Sequence, residues 1–302
     1  MRMLLAGYIV LGLGWFTSSL AQQALMVVDS LRDRVILVSR VDGSVLNTSF
    51  IVHNNLQTSI NAIQAPNGNI LLSDQVNNAI YEYTLSGNLV GTVVGAAQGL
   101  QNIRGIAIHN NQLYVTVGGG THQNTVQRFN LDATGQQTFI TNTNLVSPFD
   151  VFFRSNGEGN FLGTFQNPAP GDIRFPQQIF ERSNGNILVG GFSLPTAIYE
   201  YDANGNQLAT LAPGLGTRGV YELENGLYLF TAGTRLATVD PATGTVVDII
   251  NDLGSSFRYI EPVNLAVPEP ATIALTSFLI AGALGYSWYR RRETQKLLQR
   301  NC

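Results

Sequence analysis

Cysteine is almost missing from this chain, and so is lysine. The single cysteine is Cys302, the last residue. The stretch from Gln22 to Val267 has none, which excludes disulfides and thiolate chemistry there. That stretch also has no lysine, 11 arginines and 18 acidic residues, a net charge of about −7. Nucleic acid needs its phosphates neutralised and is a poor partner for such a surface. Histidine is scarce too. His53, His109 and His122 stand in three unrelated settings without His-x-Glu-x-His spacing. Neither a zinc or iron centre nor a cofactor is therefore expected. Charged residues make up only 12% of the chain. Asn, Gln, Ser and Thr are plentiful, a neutral polar surface suited to hydrogen bonding with sugars. Long apolar runs are confined to the two ends.

At the start, Arg2 precedes an apolar run from Met3 to Phe16 and then Thr17-Ser18-Ser19-Leu20-Ala21. Ser19 and Ala21 are small residues at the spacing a signal peptidase reads, so cleavage is expected after Ala21. An uncleaved N-terminal anchor gives the same topology. At the far end, Pro268-Glu269-Pro270 is followed by an uncharged run from Ala271 to Tyr289 and by Arg290-Arg291-Arg292. The run has roughly the length of a membrane-crossing helix. The prolines cannot sit inside that helix, and the arginines favour the cytoplasmic side.

This order of motif, helix and basic stop resembles the PEP-CTERM sorting signal of Gram-negative bacteria. The resemblance covers residues 267–292 and implies two partners, the Sec machinery for export and the membrane enzyme exosortase, which cuts near the Pro-Glu-Pro motif. It further implies an inner-membrane precursor and a mature form at the cell envelope or outside the cell. An ordinary C-terminal anchor is the alternative. The tail after the arginines, ending at Asn301-Cys302, is longer than the family's usual stub.

The expected organisation is a signal peptide over 1–21, a β domain over 22–261, and a linker over 262–270. A transmembrane helix follows over 271–289 and a basic tail over 290–302. The β domain repeats. Asn67-Gly68 opens a strand-length run to Asp74, Asn77-Asn78 opens the next to Tyr83, and Ser86-Gly87 a third. Apolar runs of this length with Asn-Gly and Ser-Gly turns between them read as hairpins. The segment resembles an NHL-type β-propeller repeat. Turns of the first kind recur at Asn110-Asn111, Asn156-Gly157, Asn184-Gly185 and Asn225-Gly226. Turns of the second kind recur at Gly43, Gly87, Gly135, Gly205 and Gly244, in steps of 44, 48, 70 and 39.

A blade takes about 40 residues, so the step of 70 hides an extra unit. Two near-copies lie inside it, Phe152 to Gly157 and Ile179 to Gly185. Residues 148–175 therefore read as a shortened blade whose third strand is Gly171-Asp172-Ile173-Arg174-Phe175. Leu25 to Asp29 matches a second strand, and Phe257 to Glu261 supplies its missing first strand, joining the two ends of the domain. The fold expected is an all-β propeller of six blades, one degenerate, with five or seven as alternatives.

Propellers bind at the mouth of their central channel. Counting back from the first turn of each blade puts Asn61, Arg104, Asp150, Gln178, Arg218 and Arg258 at equivalent positions. Three arginines in a ring on an acidic domain suit an anion held in paired hydrogen bonds, such as a uronic acid of an exopolysaccharide. The alternative is that they knit the channel rim. Asp132, Asp202 and Asp240 each open an Asp-x-x-Gly stretch and read as turn residues rather than calcium ligands. Asp29 and Asp74 read as residues that fix blades.

The chain is thus expected to be an exported binding or structural protein rather than an enzyme, its ligand an acidic exopolysaccharide or a surface protein. The other reading follows from a likeness to six-bladed propellers of the gluconolactonase family. Those hydrolyse lactones with a metal held by Glu, Asn and Asp. Here Asn61 and Asp150 match that set, no glutamate does, and arginines stand where a cation would be repelled.

Overall fold

The structure is a computed structural model, and it describes residues 22–143, 145–154 and 173–265. The sorting motif Pro268-Glu269-Pro270, the apolar run 271–289, Arg290 to Arg292 and the expected signal peptide lie outside the described residues. Residues 23–265 form one compact unit. Among the described residues no helix is long and apolar enough to cross a membrane.

Twenty strands build five four-stranded antiparallel sheets. The first holds β1 (Gln22–Asp29), β2 (Arg34–Ser39) and β3 (Val45–Val52). The second runs β4 (Ser59–Gln64), β5 (Ile70–Asp74), β6 (Ala79–Tyr83) and β7 (Leu89–Val94). The third runs β8 (Gln101–His109), β9 (Gln112–Gly119), β10 (Thr125–Asn130) and β11 (Gln137–Thr141). The fourth runs β12 (Arg174–Glu181), β13 (Ile187–Ser193), β14 (Ala197–Tyr201) and β15 (Gln207–Leu211). The fifth runs β16 (Val220–Glu222), β17 (Tyr228–Ala232), β18 (Arg235–Val239) and β19 (Val246–Asn251). The last strand, β20 (Phe257–Leu265), returns to the first sheet and pairs beside β1. This ring of meandering sheets closed by its own terminal strand is a β-propeller, and closure leaves no long edge exposed.

The strand chemistry follows from the stacking of sheets on sheets. A strand buried on both faces needs a continuous apolar run rather than an alternating one. Strand β5, Ile-Leu-Leu-Ser-Asp, is buried throughout, whereas most of the outermost strand β3 is exposed. The core lies between neighbouring sheets. Met26 and Val35 of the first sheet pack with Leu72 and Tyr83 of the second. Ile80 and Val94 of the second pack with Val115 and Phe129 of the third. Leu188 and Ile198 of the fourth meet Phe230 and Val239 of the fifth. The fifth returns to the first through Leu229, Phe257 and Ile36. Asn110 and Asn111 both take positive φ, 47° and 62°, the conformation a tight hairpin between β8 and β9 demands.

Among the described residues five sheets stand where six blades were expected, and the difference falls in the long step. Of the stretch 148–175, residues 155–172 lie outside the described residues, and residues 145–154 form no strand. Arg174 and Phe175, expected to end a third strand, instead begin β12, the first strand of the fourth sheet. The described part of the near-copy at Phe152 packs between the third and fourth sheets. Phe153 stacks on His109 of β8 at 4.3 Å and lies 4.5 Å from Tyr114 of β9. On the other side, Asp150 Oδ2 accepts the N–H of Ile179 at 2.9 Å, and Arg154 pairs with Glu181 at 3.2 Å. Strand β20 also runs on through Pro262 to Leu265, into the stretch read as linker. The Gln64 side chain holds it there by bonding both backbone groups of Asn264.

The acidic turn residues serve the backbone. Asp132, Asp202 and Asp240 each accept the N–H two residues on. Asp74 accepts the N–H groups of Gln57, Thr58 and Asn77. Asp29 accepts Ser256 N and the Ser255 hydroxyl and pairs with Arg34 at 3.1 Å.

Candidate functional site

The innermost strands are locked side by side through one polar position on the second strand of a sheet. Ser73 Oγ accepts Asn61 N at 3.1 Å and donates to Arg104 O at 2.6 Å. Thr231 Oγ1 accepts Gly219 N at 2.7 Å and donates to Arg258 O at 2.6 Å. Thr116 Oγ1 donates to Gly105 O at 3.1 Å, while Gly105 N reaches Phe149 O at 2.9 Å. Gln178 N bonds Arg218 O at 3.0 Å. These locks define two successive levels in the channel wall. Arg104, Phe149, Arg218 and Arg258 share one. Asn61, Gly105, Asp150, Gln178 and Gly219 share the next.

The six residues at equivalent sequence positions thus divide into two sets, one residue apart. A one-residue offset turns a strand's side chains to the opposite face, so the arginines do not share a ring with Asn61, Asp150 and Gln178. Glycine is required at two positions of the second level, Gly105 and Gly219, because the neighbouring segment comes close. A Cβ on Gly105 would lie 2.6 Å from Phe149 O, and one on Gly219 would lie 2.5 Å from Arg258 O.

The basic level surrounds Tyr259, whose buried hydroxyl donates to Phe149 O at 3.1 Å. Burial pushes that phenol well above its ordinary pKa. Arg104 is 6% exposed, lies 3.7 Å over the Phe149 ring, and donates to Ser147 O, Ser147 Oγ and Pro148 O. Arg218 lies 4.4 Å over Phe192 and donates to Ser256 Oγ. Arg258 donates to Ser30 Oγ at 2.8 Å. None of the three has a carboxylate within ion-pair distance among the described residues. Burial lowers all three guanidinium pKa values. Arg258, which also feels the charge of Arg218, comes down to about 10.

The acidic level opens into a cavity of about 450 Å³ that Asp150, Gln178 and Glu261 share with apolar walls. Glu261 is three residues along β20 from Arg258, roughly 10 Å at the rise of a strand. Gln178 organises this end. Its Oε1 accepts Val220 N and Ile260 N, and its Nε2 donates to Ile260 O and Glu261 Oε1. Asn61 Nδ2 donates to Ile106 O at 3.1 Å, and its side chain lies near enough to Glu261 to favour the charged form of that carboxyl. Burial raises Asp150 to about 7 despite the amides of Ile179 and Val151 that it accepts. Burial first, and then the charge of Asp150, raises Glu261 to about 8.

Glu261 is the residue the sequence reading missed. It was visible only as the end of a closing strand. The locking hydroxyls were missed as well, although each carries a signal: Ser73, Thr116 and Thr231 are each the one Ser or Thr of a largely apolar second strand. Among the described residues no three His, Cys, Asp or Glu side chains gather as a metal cluster.

No protein-family model matches the chain, and no curated protein matches it in sequence. Solved structures resemble it at low identity. A protein described provisionally as a gluconolactonase matches with a TM-score of 0.52 at 15% identity, over 68% of this chain and 82% of its own. A chain from a Nidogen/Laminin complex matches with a TM-score of 0.49 at 12% identity, over 80% of this chain and 98% of its own. Virginiamycin B lyase from Staphylococcus aureus matches with a TM-score of 0.47 at 13% identity, over 63% and 69%. At these identities the likeness concerns the fold, and the chain is a β-propeller.

Proposed function

We propose that this chain is an exported β-propeller that acts by binding, and that the basic level of its channel takes an acidic ligand. One observation carries the reading: Arg104, Arg218 and Arg258 gather around Tyr259 without a carboxylate partner among the described residues. Buried cations that repel one another are stabilised by an anion. Guanidinium groups match a carboxylate or sulfate in two hydrogen bonds, which suits the uronic acids of an exopolysaccharide. Binding of the Arg104→Ala/Arg218→Ala double variant to an acidic polysaccharide tests this. A loss of affinity supports the reading, and unchanged affinity defeats it.

Export and sorting rest on the sequence of the two ends. Sec export begins at the N-terminal run, the C-terminal run halts transfer, and exosortase cuts near Pro268-Glu269-Pro270. Glu269→Ala should leave the precursor uncut in an exosortase-bearing bacterium. Normal processing would favour a plain anchor.

A second reading, metal-dependent lactone hydrolysis, is favoured by the meeting of Asn61, Asp150 and Glu261. Their amide and two carboxyl groups supply the Glu, Asn and Asp oxygens that the gluconolactonase likeness implies, and they would hold the metal. Lactone turnover with added calcium or zinc, abolished in Asp150→Ala, would establish it.

A further inference from the structure

The acidic level has a shape and a set of acceptors that binding at the arginines leaves unused. The walls of its cavity include Ile63, Ile106, Phe152, Phe153, Phe180 and Pro262. Its carboxylates, Asp150 and Glu261, have no cationic partner among the described residues. Gln178 cannot serve as a ligand, because both ends of its amide are already bonded inside the wall. Asn61 is wholly buried, meets Glu261, and leaves its Oδ1 without a donor among the described residues. Asp150 and Glu261 therefore line an apolar chamber without positive charge, with the unpartnered Asn61 Oδ1 buried near Glu261.

We propose that this cavity binds a small organic cation, a primary ammonium on an apolar body, with Asp150 and Glu261 as the acceptors of its N–H groups. The match is one of kind. An ammonium has three donors and no acceptor. It supplies the charge that two half-buried carboxylates lack. The aromatic and aliphatic walls then cover the carbon body, and removing that surface from water stabilises the complex. A bare calcium ion would want six to eight oxygens and would gain nothing from Phe152, Phe153 and Phe180.

The test is calorimetric titration of the full chain with 2-phenylethylammonium, with its neutral isostere 2-phenylethanol, and with calcium chloride. The ammonium should bind at least about tenfold more tightly than the alcohol, as charge-assisted hydrogen bonds require. Glu261→Gln should weaken ammonium binding at least about tenfold and leave the alcohol unaffected. Phe152→Ala, at a wall residue that is 36% exposed, keeps the carboxylates and should weaken both organic ligands. It serves as the independent variant if Glu261→Gln does not fold. Arg104→Ala/Arg218→Ala should leave the ammonium affinity unchanged, which separates this site from the basic level. Equal affinity for ammonium and alcohol, calcium binding without ammonium binding, or no ammonium binding to the folded chain would each overturn the proposal.

Discussion

Glu261→Gln should stabilise this propeller in alkaline solution and do little in acid. In the fold the Glu261 carboxyl titrates near 8 rather than 4.5, first because it is buried and then because Asp150 lies beside it. Between those values the folded chain keeps a proton that the unfolded chain gives up. Stability therefore falls as pH rises through the window and levels off above it. A displacement of that size corresponds to at most about 5 kcal/mol. Water reaching the half-buried carboxyl reduces this to about 2 kcal/mol. Glutamine keeps the acceptor for Gln178 Nε2, now 3.0 Å from Glu261 Oε1, and has no charge to bury. The variant should then melt roughly 4–8 °C above the parent at pH 9, since about 1 kcal/mol moves a domain of this size by 2–4 °C. At pH 5 the two should nearly coincide. Thermal unfolding followed by circular dichroism at both pH values gives the answer. Parallel pH profiles for parent and variant, or a variant less stable at pH 9, would refute the account of this cluster.

Three further outcomes test the scaffold. Gly105→Ala should cost about 1–3 kcal/mol, because its methyl group must push back the backbone at Phe149 and Asp150; denaturant titration measures it. Thr231→Val should cost a similar amount, about 1–3 kcal/mol, by leaving Gly219 N and Arg258 O without their buried partner, while a change from Thr231 to Ser should restore most of it. Arg182→Met should cost about 2–4 kcal/mol. Arg182 bridges Glu200 at 2.5 Å and Glu222 at 2.6 Å, and Tyr228 and Asn186 hold Glu200 in the same cluster. Equilibrium unfolding of this last variant at neutral pH should show the loss.

The blade period was legible because turns such as Asn110-Asn111 and Asn67-Gly68 have few alternatives, and the apolar runs between them have strand length. The closing sheet was legible for a related reason: Leu25 to Asp29 carries a second-strand pattern without a first strand before it. The sheet count was not legible. Phe152 to Gly157 copies a hairpin, but a local pattern does not say whether neighbouring strands complete the sheet. The levels of the channel were not legible either. They are set by hydrogen bonds from Ser73 and Thr231 to the neighbouring sheet and by the bond between Gly105 and Phe149, and counting from a turn carries no knowledge of them. Glu261 escaped because it meets Asp150 and Asn61 only after the ring closes, across about 110 and 200 residues of chain.

Strand β20 does two things at once: it zips the ring shut beside β1, and it carries Arg258, Tyr259 and Glu261. Closure and recognition are therefore mechanically one element. A load pulling on the chain beyond Leu265 acts first on this strand, and peeling it away would open the ring and empty both ends of the channel in a single event. Conversely, any ligand seated against Arg258 or Glu261 fastens the clasp and raises the force needed to undo it.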